Sequence, residues 1–475
     1  MGRGLRVGLL AGVLALLIPA SAAAFGPLSS FGSYGEGAAQ LRSPAQLALA
    51  ADGSLYLADR GNDRISVFSG DGAFIRAFGK GVAPGGGDVC TAACRAGSEG
   101  ELAGQMRNPN DVALDDGGRV LVADQNNDRI DVFSAEGAFL FAFGKGVGGT
   151  TNVCVTTCKR GAAESAAGAI TNPTGVATDE SRIYVANGEF SRIDVFSPAG
   201  VFLYGFGKGV NKNDDSDVCN ALSGCKDATH SGPGSMFTPM DVVVGDDGNL
   251  YVADFGNGRV DAFTKQGAFL RSFGETGPGA LNGPVALAAD GANAVYVADQ
   301  IAQRVQRFTA GGGYLGGFVA EPDVAGVGAA CQGNVFAVEG EALFARVVRF
   351  GEAGAPPPPC VDSPVDPISA PLSKPVSNRF HFAGLLKNRR NGSAVLFVRV
   401  PGPGRLILHG RGVRRLARSA RRAKRVTLPV KPKVPLKRFL KKHGKGKIRV
   451  EVTFNPTGGV PRTLEKAIVL RRKRG

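Results

Sequence analysis

The feature that most constrains this chain is a block of some forty residues that recurs along it. Clear copies begin at Ser43, Asn108, Asn172 and Thr238, and a looser one at Gly283. Each copy holds four short apolar runs separated by turn residues. In the second copy, NPNDVALDDGGRVLVADQNNDRIDVFSAEGAFLFAFGKG, the runs are residues 112–114, 119–123, 129–133 and 139–143. Asp116-Gly117 supplies a hairpin turn there, because glycine tolerates positive φ. A single four-stranded sheet cannot bury its own faces, but stacked copies can. The repeat therefore predicts an all-β ring of four-stranded blades, a β-propeller.

After Phe318 a degenerate sixth copy supplies three strands, PDVAGVGAACQGNVFAVEG and then ARVVRFGE, before the chain runs into proline. The missing outer strand is available at the other end of the chain, where FGPLSSFGS from Phe25 is similar to GAFLFAFGKG. Six blades, closed by residues 25–33 pairing with residues 345–350, leave no raw sheet edge; five blades and a loose segment leave two. The pattern LYVADxGNxRIxVF resembles the NHL repeat, over roughly residues 27–350. The resemblance implies a six-bladed propeller of the secreted bacterial type. It also implies that the Asp of VAD and the Arg of NxR are structural. These pairs are Asp59 with Arg64, Asp124 with Arg129, Asp254 with Arg259, and Asp299 with Arg304. The third copy has Asn187 facing Arg192, which predicts a blade without the charge pair. Recurrence in blade after blade speaks for architecture over catalysis.

Arg3 and Arg6, the apolar run 7–18 and Ala22-Ala23-Ala24 read as a signal peptide over residues 1–24, with a retained anchor as the alternative. Export gives the eight cysteines meaning. Cys90 with Cys94, Cys154 with Cys158, and Cys219 with Cys225 lie in similar contexts and predict local disulfides. Each closes a small loop worth about 2 kcal/mol in the chain-entropy view, so it stiffens a loop without holding the fold. Cys331 and Cys360 are expected to form a fourth. No C-x-x-C spacing or nearby histidine cluster points to a metal. The close pairs sit in three insertions, at about residues 82–107, 147–171 and 210–237. Each insertion joins one blade's outer strand to the next blade's inner strand. That connection shares a face with the AD-x-x-N-x-R loops, and such loops on a rigid scaffold favour binding.

Enzyme chemistry is sparse. Only His230 of the four histidines falls in the repeat region, and no partner orients it. FGKG at Phe78, Phe143 and Phe206 lacks the Ser or Thr of a P-loop. The run 213–217 lacks the Gly and distal Glu of a calcium loop. No metal and no cofactor is expected. The residues entering the inner strands vary from blade to blade, as Gln46, Asp111, Gly175, Asp241, Ala286 and Asp323. Gln46, Asp111, Asp241 and Asp323 are thus the candidates for an asymmetric ligand site, against ordinary channel lining.

Residues 351–378 form a proline-rich linker, and residues 379–475 alternate as a small Ig-like β-sandwich. The net charge of +15 conceals a division. From Pro371 onward there are 30 Lys and Arg against Glu451 and Glu465, whereas the remainder has 26 basic and 39 acidic residues. A basic domain on an acidic body predicts tethering to anionic wall polymers or a membrane surface, densest at residues 411–425 and 437–447, or docking on the body itself. The sequence as a whole predicts a secreted or envelope-associated binding scaffold for a protein, peptide or glycan. A propeller lyase or hydrolase with a metal-assisted acidic centre is the alternative. Nucleic-acid binding is disfavoured by export.

Overall fold

The computed structural model describes residues 25–352 and 380–471, apart from 292, 321–322, 331–333, 342–343, 389–391, 411–412, 415, 421, 423 and 457–461. The leader, the linker and the Cys331–Cys360 pairing lie outside the described residues. The chain divides into two compact units, the second made up of residues 197–201 and the chain from residue 362 onward.

The first unit is a β-propeller whose blades are antiparallel sheets built on four strands, consecutive in the chain in every blade but the last. The second blade shows the plan: Pro109–Leu114, Val120–Asp124, Arg129–Phe133 and Phe139–Phe143, from inner to outer. Its inner turn places the left-handed residue at Gly118 (φ 72) rather than at Gly117, because Asp115 caps the turn by accepting the Gly117 and Arg119 N–H groups. Inner strands follow at Leu47–Leu49, Pro173–Thr178, Pro239–Val244, Pro284–Ala289 and Val324–Ala329. Each packs on the next, and the last packs on the first.

The recurrent Val-Phe and Ala-Phe of the repeat explain how neighbouring blades lock. The outer-strand phenylalanine of one blade meets the third-strand phenylalanine of the next. The pairs are Phe31–Phe68, Phe78–Phe133, Phe143–Phe196, Phe206–Phe263, Phe273–Phe308 and Phe318–Phe350, with ring centroids 4.3–5.2 Å apart. Such contacts are worth about 0.5–1.5 kcal/mol each beyond the area they bury. The glycine before four of the outer strands, Gly72, Gly137, Gly267 and Gly312, makes room for them. Gly137 has φ 95, and a Cβ there would fall 2.4 Å from Phe78 of the preceding blade.

Closure follows the sequence expectation. Phe25–Phe31 pairs antiparallel with Phe344–Glu352, from Phe25 opposite Glu352 to Phe31 opposite Val347, with one bulge between Pro27 and Ser29. The outer strand of the last blade is thus the first described strand of the chain.

The second unit is two sheets around an apolar core that includes Leu396, Leu406, Leu428, Val450 and Phe454. One sheet orders His381–Asn388, Ser393–Val400 and Lys424–Val430. The other orders Leu416–Ala420, Gly404–His409, Lys445–Pro456 and Arg462–Arg471. The basic run 437–447 is in part a helix, Val434–His443, with Pro435 in its first turn and Gly444 (φ 73) ending it.

Candidate ligand-binding site at the channel mouth

The repeated charge pairs are knots in the backbone. Arg64 begins a third strand with its guanidinium buried, and its Nε bonds Asp59 at 2.8 Å. Its terminal nitrogens donate to the carbonyls of Glu36, Gly37 and Gln40 on the segment entering the blade, and of Arg95 in the insertion leaving it. Arg129 does the same with Leu102 and Gln105 on one side and Lys159 on the other. The carboxylates accept from the incoming chain: Asp59 from the Arg42 N–H, Asp124 from Arg107, Asp254 from Phe237 and Asp299 from Gly283. A planar fork with five donors suits this task, and no lysine could replace it.

The third blade corrects the sequence expectation. Asn187 does remove one carboxylate, yet Arg192 pairs with Asp194 at 3.0 Å, and Asn187 donates to Asp194 at 2.8 Å. The acid two residues after the arginine was missed. It recurs as Asp131 and Asp261 and is replaced by Ser66 and Gln306 in the first and fifth blades. In the second and fourth blades two buried carboxylates therefore share one guanidinium. Arg129 lies 3.2 Å from Asp124 and 2.8 Å from Asp131. Burial raises Asp124 and Asp131, and burial with Asp254 nearby raises Asp261 to about 7.

At the mouth of the channel, equivalent register points of the inner strands carry Gln46, Asp111, Gly175, Asp241, Ala286 and Gly326. Asp323 is displaced from this ring. It stands three residues earlier with φ 65, the entry position held elsewhere by Asn108 (φ 53), Asn172 (φ 50) and Thr238 (φ 52). The last blade has Val324 where its neighbours have the Pro that follows this position, so the sequence there lacks the marker of where the inner strand begins. The other three candidates do come together. Asp111 accepts the N–H of its neighbour Val112 and, at 2.6 Å, that of Val176 in the next blade. Asp241 accepts from Val242, from Leu287 of the next blade at 2.7 Å, and from the Gln46 amide at 2.5 Å. Gln46 accepts from Val327 at 3.2 Å.

The small residues make this possible. A Cβ on Gly175 would lie 2.8 Å from Asp241 Oδ1, and one on Gly326 would lie 2.9 Å from Gln46 Oε1. Three reaching polar side chains and three small positions thus interlock into a girdle. Beneath it, Leu47, Val112, Val176, Val242, Leu287 and Val327 help enclose about 340 Å³ of channel. Burial raises Asp111 to about 7, and burial together with the nearby Asp111 charge raises Asp241. The lining holds no His, Cys, Lys or Tyr to act as nucleophile or proton partner. Among the described residues no three His, Cys, Asp or Glu side chains converge as metal ligands.

A pH dependence follows. An unfolded Asp titrates near 3.9, so between about pH 4 and 7 the folded chain binds more protons than the unfolded one at Asp111 and Asp261. Stability is therefore full at the acid end and falls as pH rises. Against burial, hydrogen bonds from Ser181, Lys265 and Tyr184 lower Asp179 to about 2; it stays ionised above pH 5 in both states and does not oppose the trend. The propeller should melt roughly 5 °C higher at pH 5 than at pH 8. Circular dichroism melts at constant ionic strength check this, and a flat or rising midpoint from pH 5 to 8 contradicts it.

The insertions form the rim. Val89–Cys90, Val153–Cys154 and Val218–Cys219 each add a two-residue strand outside the outer strand before them. Cys90–Cys94, Cys154–Cys158 and Cys219–Cys225 are bonded. The insertions return beside the second-to-third-strand loops, with Gly97 donating to the Asn62 carbonyl, Gly161 to Asn127 and Ala228 to Phe190. The remaining sequence candidates have structural employment. Lys80 of FGKG pairs with Asp88 at 3.0 Å, and Lys208 with Asp217 at 3.3 Å. In the run 213–217, Asp214 accepts the Ser216 N–H and Asp215 pairs with Lys226. His230 is exposed and lies 4.7 Å from the Phe237 ring.

The NHL repeat model matches residues 106–133 and 238–263. A 52-residue stretch is 42% identical to Protein brain tumor of Drosophila melanogaster, covering 11% of this chain and 5% of that protein's length. Similar solved structures include virginiamycin B lyase from Staphylococcus aureus (11% identity, 65% of this chain and 94% of that one, TM-score 0.40). They also include a Bacteroides thetaiotaomicron protein of unknown function (13%, 69% and 76%, TM-score 0.44) and a Xanthomonas campestris gluconolactonase (13%, 70% and 99%, TM-score 0.41). The chain carries NHL repeats within a β-propeller.

Proposed function

We propose that this NHL-repeat chain is an exported, non-enzymatic binding scaffold. It is a six-bladed propeller that offers its insertion-bearing face to a protein, peptide or glycan. Its C-terminal sandwich tethers it to anionic surface polymers or lipid headgroups. One observation carries the reading. The residues that repeat are consumed in knotting the ring, while the elaboration falls on three consecutive junctions of one face, each stiffened by a disulfide. Rigid loops that present apolar side chains are binding surfaces. Leu222 is 96% exposed, and Val155 and Leu102 are each 59% exposed on these insertions. The disulfides suit an oxidising compartment, and no helix among the described residues is long and apolar enough to cross a membrane. For the sandwich, three strands against four with a crossing between sheets supports an Ig-like assignment.

The test is capture from the surface of the producing organism by the immobilised full chain. Leu222→Asp with Val155→Asp should reduce capture at least about tenfold while leaving the melting temperature unchanged. Equal capture by both proteins refutes the rim as the binding face. Stoichiometric metal together with lyase or esterase turnover would replace the scaffold reading by an enzymatic one.

A further inference from the structure

We infer that the outer face of the three-stranded sheet in the C-terminal domain is a docking face for an anionic phospholipid surface. This rests on the tethering role proposed above and gives it a face and a chemistry. Strand pairing sets His381 opposite Arg399, and Arg399 opposite Arg425. Three basic side chains thus form one row across the sheet, at the interstrand spacing of about 4.8 Å. All three are exposed.

Like charges directly opposite one another destabilise a sheet, and these three strands contain no Asp or Glu. The domain's two acids stand elsewhere. Glu451 and Glu465 face each other in the four-stranded sheet, where His409 lies 3.6 Å from the first and Arg449 lies 3.3 Å from the second. Compensation is gathered on one sheet, and the bare cationic row on the other.

The next row sets Phe397 beside Thr427, and the row beyond it is apolar. The Arg425 guanidinium lies over the Phe397 ring at 4.8 Å. Two residues further along, Leu386 faces Val395, and Val395 faces Pro429, with Leu386 63% exposed. The face therefore grades from cations through an aromatic ring to aliphatic side chains. A soluble polyanion engages the first row and leaves the others in water. A lipid surface has phosphate above and acyl chain below, and so satisfies all of them at once.

Sedimentation of the full chain with vesicles in 50 mM salt tests this. The protein should pellet with phosphatidylcholine containing about a third phosphatidylglycerol, and not with phosphatidylcholine alone. Arg399→Ser with Arg425→Ser should weaken partition about 25-fold, at about fivefold per cation. Arg405→Ser with Lys447→Ser removes the same charge from the four-stranded sheet and should weaken it at least fivefold less. Leu386→Ser should weaken binding without altering its salt dependence. Equal losses in the two double variants overturn the face, since net charge alone then governs. Binding of soluble polyphosphate without vesicle binding overturns the lipid occupant. Binding to neither overturns the tethering reading itself.

Discussion

A chain beginning at Gly32 is expected to show no cooperative propeller transition. Residues 25–31 are few, but they hold the ring shut. Their loss exposes the strand Phe344–Glu352 as an unpaired edge and removes Phe31 from Phe68 and Phe25 from Phe318, contacts of 5.1 and 5.3 Å. The first and last blades would then face each other with an unfilled gap, and a propeller's stability comes from neighbours on both sides of each blade. Ser30→Pro is a milder form of the same break, since Ser30 pairs with Val348 and proline donates no hydrogen bond. Near-ultraviolet circular dichroism and thermal melts of both proteins read the outcome. A transition unchanged in midpoint and steepness would show that closure is dispensable.

The second large effect is expected at Arg129. Replacing it with leucine leaves Asp124 and Asp131 buried without a cation and strips donors from the Leu102, Gln105 and Lys159 carbonyls. Breaking such a buried ion pair from one side costs about 3–5 kcal/mol. The deficit should shrink at pH 5, where the stranded carboxylates can be neutralised by protons. Arg304 provides the internal comparison. It lies 3.7 Å from Asp299 and is 34% exposed, so Arg304→Leu should cost no more than about 1 kcal/mol. Urea denaturation of both variants at pH 5 and 8 gives four numbers, and a larger loss at Arg304 than at Arg129 would refute the account.

The blades were legible because strands alternate with a period of two and their turns use Gly, Asp and Pro at fixed offsets. Closure was legible because FGPLSSFGS carries the same outer-strand pattern as its counterparts. Other features hid for identifiable reasons. Asp194 replaces the missing acid of the third blade from a neighbouring strand, an exchange visible only when Asn187 and Asp194 are seen 2.8 Å apart. Gly326 was overlooked because its contribution is an absent side chain, while Asp323 drew attention by its charge. The strand Leu416–Ala420 and the helix Val434–His443 were masked by arginine and lysine, whose long stems cover apolar surface without breaking the run of charge. At the channel mouth, the sequence located Gln46, Asp111 and Asp241 but could not reveal that their acceptor atoms are spent on backbone N–H groups of adjoining blades.

The arginine knots have a consequence for how such a molecule can be altered. Arg64 grips carbonyls on both the chain arriving at its blade and the chain departing from it, and Arg129 and Arg192 repeat the arrangement. Each junction is therefore held at two points, and the short stretch between them is itself bonded to the ring, as Gly97 is to the Asn62 carbonyl and Gly161 to Asn127. The short junction of residues 274–282 is held by an ion pair from Arg259 to the Glu275 side chain and by Arg304 on the Ala280 carbonyl. It is a vacant socket into which a foreign peptide could be grafted for display.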